Sequence, residues 1–99
     1  MVNTVSLVGR LTSIINEKEV TKITLAVPRS FKNEEGVYET DFVKCILWNG
    51  IVNKVKTYCR VGDLIAIKGR IQSKKDKNEI IAEHISFLTT NQEKEKELD

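Results

Sequence analysis

The sequence predicts an all-β fold: five short strands, with one helix between the third and the fourth. Three observations lead there. Four segments alternate apolar and polar residues with a period of two, as half-buried strands do, and a fifth, residues 80–88, mixes apolar residues into both parities, as a well-covered strand does. One segment, residues 49–60, breaks that rhythm and spaces its apolar residues as a helix does. Short turn-forming clusters, rather than long linkers, separate these elements.

The first strand covers residues 2–11, with Val5, Leu7 and Gly9 on one face and Ser6, Val8 and Arg10 on the other. Gly9 in its interior predicts a bulge or a tight bend, as at a barrel corner. Ile14 and Ile15 continue it toward a turn at residues 16–19. The second strand covers residues 20–27. Thr21, Ile23, Leu25 and Val27 face one way; Val20, Lys22, Thr24 and Ala26 face the other. Pro28 is expected to end it, because proline has no N–H for a ladder. Residues 29–39 (RSFKNEEGVYE) read as a turn-rich connection that reverses at Asn33 and Gly36. Phe31 lies there between Arg29 and Lys32. It either folds back to cap the core or stands out as a stacking platform, and the flanking cations tilt the choice toward stacking.

The third strand, residues 40–48 (TDFVKCILW), says most about function. Val43, Cys45 and Leu47 share one face and suit a core. The opposite face carries Phe42, Lys44, Ile46 and Trp48. Bases stack on rings and phosphates seek cations, so such a face suits single-stranded nucleic acid. The competing reading is a strand buried on both faces, and Lys44 argues against it, since an unpaired lysine is rarely fully buried.

In residues 49–60 the apolar set is Ile51, Val52, Val55, Tyr58 and Cys59. Asn49 is expected to cap this helix, Arg60 to meet its negative pole and Gly62 to stop it. The helix should plug one end of the sheet. The fourth strand, residues 63–74, turns Ile65, Ile67, Gly69 and Ile71 one way. Its other face, with Lys68, Arg70 and Lys74, is basic over its second half. Residues 75–79 read as a hairpin turn and residues 80–88 as the fifth strand. A domain of residues 1–90 then gives way to residues 91–99, a charged tail without apolar period, expected to be frayed.

This order is the plan of the OB fold, a five-stranded, partly open Greek-key barrel that binds oligonucleotides or oligosaccharides through its sheet face and loops. A fold does not by itself give a function. Composition narrows the classes. Ninety-nine residues suffice for a single core. No apolar run approaches the roughly 20 residues of a membrane span, and the first ten residues lack a signal-peptide pattern, so a cytoplasmic protein is expected. The net charge of +2 rises to about +4 once the tail, with four acids and two lysines, is set aside. That modest excess matters only where it is localised. Cys45 and Cys59 fit no disulfide framework. With His84 they lack metal-ligand spacing, and buried structural thiols are expected. There is no phosphate-cradling GxxxxGK[ST] loop and no nucleophile elbow; Asp41 and Asp63 sit at strand ends, where turn and capping roles are usual. No enzyme, metal or cofactor is expected.

The segments VSLVGRLT (residues 5–12), ITLAVPRSF (23–31), DFVKCILWNG (41–50), YCRVGDLIAIKGRIQS (58–73) and AEHISFL (82–88) resemble, in order, the bacterial single-stranded DNA-binding proteins. The resemblance implies stacking aromatics at Phe31, Phe42 and Trp48. It places Arg10, Arg29, Lys32, Lys44, Arg70, Lys74 and Lys75 on or beside the surfaces that meet phosphates. It implies sequence-independent binding of single-stranded DNA in replication, repair or recombination, and a homo-oligomer, with a tetramer favoured over a dimer. Three departures modify this. The connection between the first two strands is short, and so is the hairpin at residues 75–79, which predicts a smaller footprint and weaker binding per subunit. The tail ends in Glu97, Leu98 and Asp99 without the family's Gly/Pro/Gln-rich linker and apolar tip, so recruitment of other replication proteins by that route is doubtful. Short loops and a missing tip also suit a primosomal or replication-restart accessory protein acting mainly through protein contacts. Nothing in the sequence selects DNA over RNA.

Overall fold

The first four strands bury alternate residues, whereas the fifth buries the consecutive Ile81 and Ala82 beside a register shift with the fourth. The structure, a computed structural model, describes residues 1–88. Its elements are β1 (Val5–Asn16), β2 (Thr21–Lys32), β3 (Tyr38–Leu47), α1 (Asn49–Tyr58), β4 (Leu64–Lys74) and β5 (Lys77–Phe87). The strands close into a barrel in the order β1-β2-β3-β5-β4, the OB-fold arrangement.

β1 serves two neighbours. Its first half, from Val5 to Arg10, pairs with β4, and its second half, from Arg10 to Asn16, pairs with β2. All ladders are antiparallel except β3–β5, which is parallel and holds only three pairs, Cys45–Ile80, Ile46–Ile81 and Leu47–Ala82. A parallel pair needs a crossover, and α1 with β4 supplies it. Outside this short seam β3 and β5 separate, so the barrel is closed but partly open along one wall.

Leu11, Ile23, Leu25, Cys45, Leu47, Ile65, Ile67 and Ala82 fill the interior, and α1 plugs it with Ile51 and Val55, followed by Cys59 at its C-cap. Both cysteines are buried and free. Burial pushes the Cys45 thiol up to about 11. Burial and then the nearby Asp63 carboxylate push Cys59 up to about 12. Neither thiol ionises near neutral pH, so both behave as small core side chains.

Several boundaries differ from expectation. β2 does not stop at Pro28 but runs on to Lys32. Beyond Ala26 it has lost its β1 partner, and its register with β3 shifts between Pro28 and Lys32. A residue without an N–H is tolerated in a one-sided, irregular stretch of this kind. β1 begins at Val5 because the Asn3 side chain takes over from the backbone: its amide donates to the Ile71 carbonyl (2.7 Å) and accepts from the Ile71 N–H (2.9 Å). Gly9 keeps its register opposite Ile65, and the β1 irregularity falls between Leu11 and Ser13. What Gly9 provides is close approach, since a Cβ there would stand 2.7 Å from the Ala26 carbonyl oxygen.

The helix is also shorter than expected. Trp48, not Asn49, occupies the N-cap, no side chain caps it, and the helix ends at Tyr58. Gly62 belongs to the next turn, at φ 100°. There the Asp63 carboxylate accepts the Arg60 N–H (2.9 Å) and the Asp63 N–H donates to the Arg60 carbonyl (3.0 Å). The hairpin turn is only Lys75 and Asp76, with Lys74 paired to Lys77, so β5 starts at Lys77 rather than at residue 80. The predicted tail, residues 91–99, lies outside the described residues.

Candidate nucleic-acid interface

The ladders β1–β2 and β2–β3 assemble one outer face from rows of directly opposed residues. Arg10, Ala26 and Phe42 form the first row. Ser13, Thr24 and Lys44 form the second, and Ile15, Lys22 and Ile46 the third. Trp48 follows at the end of β3. Phe42 and Trp48 are six positions apart, roughly 20 Å at the rise of a strand. Both rings lie mostly in water, Phe42 at 68% exposure and Trp48 at 56%. Ala26, between Arg10 and Phe42, is too small to obstruct either. Arg10 donates to the Gly62 carbonyl at 3.1 Å and meets no carboxylate among the described residues.

Past Ala26 the strands β2 and β3 continue as a two-stranded arm closed by a turn at Asn33. The Asn33 side-chain oxygen accepts the N–H groups of Glu35 (2.9 Å) and Val37 (3.0 Å), and Gly36 takes φ 81°. Asn33 and Gly36 are thus the reversal points, as expected. Phe31 stands on this arm with 69% exposure, so it does not cap the core. Lys32 holds its ammonium 5.6 Å from the centre of the Tyr38 ring. Arg29 is occupied. It donates to both Asp41 oxygens (3.1 and 2.9 Å) and to Glu39 (2.7 Å). The hydrogen bond from Arg29 holds the Asp41 carboxyl below its ordinary 3.8. A depressed folded value means that the clamp contributes fully above the ordinary carboxylate range. It is lost as pH falls through that depressed value. We expect Arg29→Gln to loosen the arm while leaving the salt dependence of DNA affinity unchanged. A slope lowered by about 0.7, the single-strand value for one phosphate contact, would show that Arg29 meets a phosphate instead.

The separation of β3 from β5 opens a groove of about 220 Å³ beside Lys44, lined also by Lys22, Lys77, Asn78, Glu79 and Ile80. Lys77 also lines an open depression at the hairpin, with Lys74, Lys75, Asp76 and Glu79. A basic path therefore leads from the outer face past the barrel seam to the hairpin. Lys22, which is ion-paired with Glu17 at 3.3 Å, and Lys77 line this groove and are not among the residues singled out from the sequence. Lys22 shares the outward parity with Thr24 and Ala26, and that was its only signal. Lys77 was assigned to a turn. Arg70 is off this path: it sits on β4, with β5 between it and β3, bonded to Gln72 (2.8 Å) and paired with Glu83 (3.6 Å). The ladders thus bring Arg10, Phe42 and Lys44 onto one face; Trp48 follows β3 at the N-cap of α1, and Lys74 and Lys75 line the hairpin depression. Phe31, Arg29 and Lys32 sit on the arm.

The profile of the single-strand binding protein family matches residues 2–88. The chain belongs to that family. Among its curated members, single-stranded DNA-binding protein B of Bacillus subtilis is 42% identical over 85 residues, covering 80% of this chain and 75% of its own. Single-stranded DNA-binding protein 1 of Streptococcus pyogenes is 35% identical over 103 residues, covering 89% and 79%. The fold is shared with Rim1, the mitochondrial single-stranded DNA-binding protein of Saccharomyces cerevisiae. The TM-score is 0.71 at 20% identity, covering 90% of this chain and 98% of that one. Among the described residues of this family member, no group of three or more His, Cys, Asp or Glu is placed to hold a metal ion, and no helix is long and apolar enough to cross a membrane.

Proposed function

We propose that this chain binds single-stranded DNA without sequence preference and protects it during replication, repair or recombination. Bases stack on Phe42 and Trp48, and Phe31 adds a third ring from the arm. Arg10, Lys44, Lys74 and Lys75 neutralise phosphates, joined by Lys22 and Lys77 in the groove. The observation that carries this reading is the outer face of β3, where Phe42 is 68% exposed two positions from Lys44 and Trp48, 56% exposed, follows just past the end of the strand. Stacking tolerates any base because every base has a π-face. Family membership supports the same ligand.

The first half of β1 supports self-association. Among the described residues, Val5 to Gly9 pair only with β4, leaving one edge unpaired, and unpaired edges invite pairing. A homo-oligomer fits this edge, and the preference for a tetramer over a dimer rests on the family resemblance. The two-residue hairpin turn favours one second reading, a replication-restart accessory protein acting mainly through protein contacts, because a short hairpin leaves less surface for DNA.

Salt dependence tests the phosphate contacts. Lys44→Ala and Lys74→Ala should each flatten the log–log salt slope of oligo(dT) affinity by about 0.7. An unaltered slope for both would mean that these lysines do not meet phosphates.

A further inference from the structure

Gly50 is the second residue of α1, and its place there is costly, because glycine is the poorest helix former after proline. The backbone does not demand it. Gly36 and Gly62 take positive φ among the described residues, and Gly50 does not. What a side chain at this position would do is displace the Trp48 ring. A Cβ at Gly50 would lie 2.5 Å from Cη2 and 2.6 Å from Cε3 of Trp48, and closer still to Cζ3. All three atoms belong to the six-membered ring of one indole, so that ring rests on the Gly50 backbone. The Trp48 backbone is tied on both sides of this contact. Its N–H donates to the Ala82 carbonyl (2.9 Å), and its carbonyl accepts the Ile51 N–H (3.0 Å). With more than half of its surface in water, the indole is seated on one side and open on the other.

We propose that Gly50 is a positioning residue for nucleic-acid stacking: its missing side chain is the seat that holds the Trp48 indole with its outer face toward a base. This rests on the reading that Trp48 stacks. A ring already ordered in the free protein loses less conformational freedom when a base lands on it, which strengthens binding. Glycine at this position therefore trades helix stability for a preorganised platform.

The test uses Gly50→Ala, Trp48→Ala and the double variant. Gly50→Ala should change the emission and acrylamide quenching of Trp48 in the free protein and keep or raise the thermal midpoint. It should weaken oligo(dT) binding by roughly three- to tenfold. Combined with Trp48→Ala it should add nothing to the loss. Unchanged emission and affinity in Gly50→Ala, with binding still weakened in Trp48→Ala, would overturn the seat and leave the stacking reading intact. An equal effect of Gly50→Ala with and without the indole would also overturn it, since Gly50 would then act through the helix. Full binding by Trp48→Ala would overturn the stacking reading, and the seat with it.

Discussion

Replacing Phe42 and Trp48 together by alanine is expected to weaken oligo(dT) binding by between roughly thirtyfold and twenty-thousandfold. Each base–ring stack is worth about 1–3 kcal/mol by alanine substitution, and 1.4 kcal/mol is a factor of ten. The fold should survive, because neither ring belongs to the core cluster and both are more than half exposed. Surface substitutions of this kind usually stay within about 0.5 kcal/mol in stability. Affinity by fluorescence anisotropy and a thermal melt of the same sample separate the two effects. Binding unchanged within error, in a variant that melts normally, would remove stacking from the account. A variant that fails to melt cooperatively would place the rings in the core, against their exposure.

The second large effect concerns the wall behind that face. Leu25→Ala should cost about 2–5 kcal/mol of stability, the range for truncating a buried leucine. Leu25 is completely buried, and its ladder partners are Leu11 on β1 and Val43 on β3. The barrel closes around it, so the space left by the missing atoms cannot easily collapse. Against a typical total of about 5–15 kcal/mol this is a large fraction. Denaturant unfolding reads it as a lower midpoint at unchanged slope. A loss below about 1 kcal/mol would mean that the site is loosely packed.

Residues 40–48 show how much of this was legible. Alternation alone separated Cys45 and Leu47, which are buried, from Phe42, Lys44 and Trp48, which are exposed. It succeeds there because β3 has a wet face and a dry one. The number and order of elements followed from the same local signal. Pro28 misled because the rule against proline assumes a ladder on both sides, and β2 has only one partner at that point. The Arg29–Asp41 clamp joins residues 12 positions apart, and strand register, a tertiary property, decides their meeting. Without it Arg29 reads as a free cation. Lys77 was hidden by the two-residue turn, which local composition spread over residues 75–79. Trp48 was legible as an aromatic on the open face, whereas its support by Gly50 depends on how the chain turns from β3 into α1.

The most direct test of the account is a titration of the fluorescence of Trp48, the single tryptophan, with oligo(dT). Duplex DNA of equal length serves as the comparison, at two salt concentrations. The account predicts strong quenching by the single strand, weaker binding at higher salt and almost no response to the duplex. No quenching and no binding by oligo(dT) would contradict it, and Phe42 and Trp48 would then be assigned to a surface for a protein partner.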